Sequence, residues 1–157
     1  MTNLLEKKAY REGMFTIEIL RANGQRETFK SPNTIVSAGK AGLASRINGS
    51  GAAAAFEYLA VGTNATAVSA GDTTLGAETV GSGLSRVLGT LSRVTTSVTN
   101  DTARIATTFT VTGTVAITEI GIFNASSAGT MLCRTVFSAL NVQNGDSLTV
   151  NYDIQAS

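Results

Sequence analysis

The chain has 157 residues, a formal net charge of +1, 15% charged and 43% apolar residues, one cysteine and no histidine. Such a length suits one domain and buries roughly 70% of the surface its unfolded form exposes, so a real core is expected. The lone Cys133 excludes an internal disulfide, and without histidine there is no ordinary zinc site and no Ser-His-Asp or Cys-His nucleophile.

The charge deficit is made up by threonine and serine. Threonine fits a pleated, half-buried surface, which points to an all-β fold. A surface so short of charge is weakly defended against association, so an assembled state is expected, either a homo-oligomer or attachment to a lattice. No run of about 18 apolar residues is present, and MTNLLEKKAYREG lacks the apolar segment of a secretion signal. The expectation is a protein made in the cytoplasm, with no membrane partner. Residues 1–46 carry eight Lys or Arg and four Glu, whereas 47–157 carry four Arg and seven acids. This asymmetry suits either an amino-terminal arm, residues 1–13, lying on an acidic neighbour, or a solvated terminus ahead of a single domain, 14–157. Contact with another subunit falls on Leu4, Leu5, Lys7, Lys8, Tyr10 and Arg11. No aromatic residues interleave with clustered basic ones, so no nucleic-acid partner is expected.

In chain order, MFTIEIL alternates apolar and polar residues and Asn23-Gly24 precedes RETFK, the pattern of a hairpin whose tight turn takes positive φ at Asn and Gly. In NTIVSAGKAGLASRI, Asn33 is placed to cap a helix with Val36, Leu43 and Ile47 at helical spacing and Gly49 at its end. Gly39 and Gly42 weaken such a helix, and close packing on a sheet is the reason expected for them. FEYLAVG reads as a strand, after which Asp72 is placed to cap a single helical turn ending near Glu78. From Leu84 onward the period is two. Val94 to Val111 forms a second hairpin about Asn100-Asp101, VAITEIGIF and TMLCRTVF flank the turn NASSAG, and SLTVNYDI closes the chain with Leu148, Val150, Tyr152 and Ile154 on one face. About eight strands and one short helix define a β-sandwich or jelly-roll-like domain.

Candidate chemistry is thin. Cys133, between Leu132 and Arg134 in a strand, reads as a small buried side chain. AGKAGL lacks the first glycine and the Ser or Thr of a phosphate loop. Asp72, Glu78, Asp101, Glu119, Asp146 and Asp153 are the carboxylates from which an acid/base pair could be drawn, but most sit at turns, where aspartate satisfies backbone donors. Four N-x-[ST] sequons, at Asn48, Asn64, Asn100 and Asn124, are read as turns. No catalytic residue, metal or cofactor is expected.

The ordered series NTIVSAGKAGLASRI, YLAVGTNATAVSAGDTTLGAE, an arginine such as Arg86, and ITEIGIFNASSAGTMLCRTVFSALNVQNGDSLTVNYDI resembles small virion structural proteins of tailed bacteriophages. The resemblance spans about residues 33–154 and leaves 1–32 outside it. It implies a non-enzymatic β-sandwich of the virion, a capsid decoration or cement protein that binds the major capsid protein as a homo-oligomer such as a homotrimer. A tail-fibre or baseplate adaptor and a carbohydrate-binding module are the alternatives. On this reading Tyr58 to Glu78 is a structural corner at the end of the sandwich.

Overall fold

In a computed structural model, which describes residues 13–51 and 53–156, the chain forms two antiparallel five-stranded sheets and one helix. The first sheet has the order β2 (Arg26–Pro32), β1 (Met14–Leu20), β10 (Ser147–Gln155), β7 (Thr102–Thr110), β6 (Thr90–Val94). The second has the order β3 (Thr34–Ile35), β9 (Met131–Val142), β8 (Val115–Phe123), β4 (Tyr58–Gly62), β5 (Val87–Leu88). The architecture is an all-β sandwich with one short helix. Eight strands have five residues or more, and β3 and β5, of two residues each, raise the number to ten.

Alternation builds the core. Phe15, Ile17 and Ile19 of β1, Leu148, Val150 and Tyr152 of β10, and Ile105 and Phe109 of β7 meet Leu59, Val61, Ile117, Ile120 and Ile122 of the second sheet. The β10 face read from the sequence is therefore inward, with Ile154 only half-buried at its end. A β-bulge between Ile117 and Glu119 changes the parity of β8. Ile117, Ile120 and Ile122 point into the sandwich, while Glu119 and Phe123 fall on the outer face. That face has its own small core, in which Phe123, Ala60 and Met131 pack with Val36 and Leu75.

The chain passes between sheets through single residues twice. Asn33 separates β2 from β3, and Gly89 separates β5 from β6. The first crossing corrects the expected helix cap. Asn33 is buried and donates from Nδ2 to the Tyr152 hydroxyl at 3.3 Å, so its side chain is spent inside the core. The helix α1 (Ser37–Asn48) starts later, from Val36, with no side-chain cap, and Gly49 ends it at φ 72° as expected. The glycines do permit close packing: a Cβ on Gly39 would lie 2.0 Å from the Leu132 carbonyl oxygen, and one on Gly42 2.6 Å from the Phe56 ring. Leu43 packs on the core, but Ile47, expected beside it, is 70% exposed near the helix end.

The first hairpin turns as read, with one difference. Gly24 alone takes positive φ, and the Gly24 amide donates to the Arg21 carbonyl, so the loop is a turn closed by a left-handed glycine. In the second hairpin β6 ends at Val94, and residues 95–101 form a loop around the Asp101 carboxylate rather than continuing the strand.

Candidate functional site

The loop between β4 and β5 crosses the outer face of the second sheet, and Glu119 lies beneath it with 0% exposure. Glu119 Oε1 accepts from the amides of Ala77 at 2.7 Å and Asn64 at 3.2 Å. Its Oε2 accepts from the Gly76 amide at 3.0 Å and from Arg134 Nε at 2.8 Å. Three backbone donors and a guanidinium therefore hold one carboxylate, the arrangement that a buried charge requires. Close approach is essential here: a Cβ on Gly62 would stand 2.5 Å from both Glu119 Oε1 and the Ala77 carbonyl oxygen.

Arg134, 3% exposed, joins this carboxylate to the loop from the other side. Its Nη1 donates to Asp72 Oδ2 at 2.8 Å, and its Nη2 to the Thr66 carbonyl at 3.2 Å. Burial of the guanidinium works against its charge, and the hydrogen bonds to Asp72 and Glu119 outweigh that effect, so the pKa of Arg134 is raised. Asp72 does not cap a helical turn. Its Oδ2 accepts from the Ser69 amide at 3.0 Å, the residues that follow are bends, and Glu78 instead bridges Gly62 as a continuation of the sheet. The loop has too many of its amides committed to Glu119 to wind into a helix.

A second arginine braces the neighbouring turn. Arg86 holds Glu78 through two bonds, Nε to Oε1 at 2.8 Å and Nη2 to Oε2 at 2.6 Å. Its Nη1 donates to the carbonyls of Ala125 and Ala128 in the NASSAG turn, and the guanidinium stacks 3.6 Å from the Phe123 ring centroid. The bulge on β8 thus brings together the Val-Gly-Thr strand end, the Leu-Gly-Ala-Glu loop, Arg86 and the EIGIF strand in one braced face.

Of the six candidate carboxylates, Asp72 and Glu119 meet on Arg134, and the other four do not join them. Glu78 pairs with Arg86, Asp153 with Arg104, and Asp146 with Arg21, while Asp101 accepts the amides of Thr96, Ser97 and Val98. Both oxygens of Glu119 are occupied by donors. The arrangement holds backbone in place, and what it offers a ligand is a shallow cavity of 410 Å³ over the loop, lined by Asn64, Asp72, Thr73 and Arg134 among others and by no aromatic side chain. Cys133 is fully buried, and its thiol is pushed up to about 12 mainly by that burial, as expected of an inert core residue. Leu4, Leu5, Lys7, Lys8, Tyr10 and Arg11 lie outside the described residues.

Arg134 is the residue that the sequence reading passed over. Its signal is a lone cation in the apolar run MLCRTVF, matched by a lone anion in VAITEIGIF. Arg21, at the mouth of the first hairpin, holds Glu27, Asp146 and the Asn141 carbonyl, and the last two lie too far along the chain for local pattern to reveal them.

No family model, curated protein or solved structure matches the chain.

Proposed function

We propose that this chain is a non-enzymatic structural protein of a tailed-bacteriophage particle, a head decoration protein that binds the major capsid protein as a homo-oligomer. The observation that carries the reading is the identity of the braced residues. Gly62, Asp72, Glu78, Arg86 and Glu119 stand in the segments on which the resemblance to small virion proteins rests, and all of them serve to fix one loop-covered face. A protein whose task is to present a rigid surface needs its charges used in this way, with oxygens and nitrogens committed internally.

The mechanism proposed is mechanical. An oligomer seated where capsid subunits meet adds buried area across their joints, and the amino-terminal segment, with Leu4, Leu5 and Tyr10 beside Lys7, Lys8 and Arg11, extends that contact. The test is the number of copies of this protein relative to the major capsid protein in purified particles, by quantitative mass spectrometry. A ratio near one, or a simple fraction of it, is expected. A handful of copies would move the protein to the tail as an adaptor, and its absence from particles would remove the virion reading.

A further inference from the structure

Two open sheets have four edges, and each presents a row of backbone groups to which another strand can add. Three of them are blunted. The strands β3 and β5 have only two residues each, and β2 carries Arg26, Glu27 and Lys30 and ends at Pro32. The fourth, β6, reads Thr-Leu-Ser-Arg-Val, with one charge and no proline. Among the described residues its backbone bonds on one side alone, to β7.

The surroundings of β6 are apolar as well. Of the six large apolar side chains that are exposed among the described residues, Val80, Leu88, Leu91 and Val98 fall in the segment from Thr79 to Asn100 that runs through this edge. The segment contains no acid and two cations, and one of these, Arg86, is spent on Glu78 and the NASSAG turn. It is as long as one side of a standard protein interface, about 20–30 residues. Leu91 pairs with Ile105 and so shares the inward face of its sheet, yet it is 49% exposed at the sheet's edge.

We infer that β6 is the contact between two copies of this chain, joined antiparallel about a two-fold axis so that their first sheets run on as one. The inference rests on the self-association in the reading above and gives it a surface. The chain leaves the sheet at Gly89 before β6 and in the 95–101 loop after it, so two copies use all five residues only when Ser92 meets Ser92 on the axis. In that register Thr90 lies opposite Val94 of the second copy, and Leu91 opposite its Arg93. A second copy is favoured over an unrelated strand because β6 is complementary to itself in this register. Like charges are not set opposite each other, the aliphatic stem of each arginine covers a leucine, and the two Leu91 side chains meet diagonally across the axis on the inward face.

The test is sedimentation equilibrium of the isolated full chain. A monomer–dimer equilibrium is expected, weakened about tenfold or more by Leu91→Lys, which puts a charge at the centre of the contact, and unaltered by Thr28→Lys on the β2 edge. Circular dichroism should show both variants folded. Under mild oxidation Ser92→Cys is expected to join two chains by a disulfide, the two thiols losing two electrons and two protons to the added oxidant, while buried Cys133 takes no part. Thr90→Cys should not link, because the two Thr90 positions stand ~13 Å apart along the strands, but Thr90→Cys with Val94→Cys should. A chain that stays monomeric at every concentration, or an oligomer that Leu91→Lys leaves intact and Ser92→Cys does not link, would overturn the inference. The first outcome would give β6 a different partner, and the second would move self-association to another surface. Copy number in particles is a separate measurement: a β6 dimer absent from particles would sink the virion reading alone, and a monomer present at a simple ratio would sink this contact alone.

Discussion

A single carboxylate separates a loop that is merely long from one that is fixed. Glu119 is fully buried with Arg134, and removing the carboxylate's charge leaves the buried guanidinium with the partly exposed Asp72 alone and leaves three loop amides without an anionic acceptor. Breaking such a pair destabilises by about 3–5 kcal/mol. Glu119→Gln also turns amide hydrogens toward N–H groups that need an acceptor, so a loss in that range is expected by denaturant unfolding. The partly exposed Asp153, paired with Arg104 across β10 and β7, provides the contrast. Asp153→Asn should change stability by about 1 kcal/mol or less, because solvent screens the pair. Equal losses in the two variants would show that Glu119 does not hold the loop. The carboxylate was visible in the sequence as a candidate, but its partner was not, because pairing depends on a bulge that alternation alone does not reveal.

At the scale of elements, α1 shows how far sequence signals carry and where they stop. Its glycines announced a close approach, and Gly39 meets the Leu132 carbonyl while Gly42 meets the end of the Phe56 ring. A carbonyl in a sheet cannot move as a ring can. Gly39→Ala should therefore cost more than Gly42→Ala, each within or beyond the 1–3 kcal/mol typical of overpacking, with thermal unfolding as the measurement. The reverse ranking would mean that the helix slides freely on β9. Strands of regular alternation, β1, β7 and β10, were legible because period two reports burial on one face, whereas the bulge in β8 breaks its period. The helix start was not, because the two-residue strand β3 intervenes and Asn33 is used by Tyr152. The loop before Glu78 was misread for a related reason: Asp72 is a good cap by residue type, but Arg134 and the Ser69 amide claim it from outside the local sequence.

For the whole molecule, aspartates at loop closures tie stability to pH. The Asp101 carboxylate is held well below its ordinary value chiefly by the Val98 and Thr96 amides. Burial works to raise that of Asp146, but the Gln143 and Ala22 amides and Arg21 leave it lowered. Both groups hold protons less tightly when folded, so the unfolded chain takes up more protons as acid is added. The stability they provide is complete above the usual aspartate value of about 4 and is lost as pH falls through the folded-state values. Unfolding midpoints measured from neutral to strongly acid pH should fall in that window, and Asp101→Asn should flatten part of the decline. An unchanged slope in that variant would show that the 95–101 loop closure contributes nothing to it. The two single-residue crossings have a different consequence. Because β2 continues into β3 through Asn33 and β5 into β6 through Gly89, each sheet ends in a strand that the other begins. Neither layer can peel away while its partner stays intact, so loss of structure is shared, and amide hydrogens deep in both sheets should exchange through one common opening.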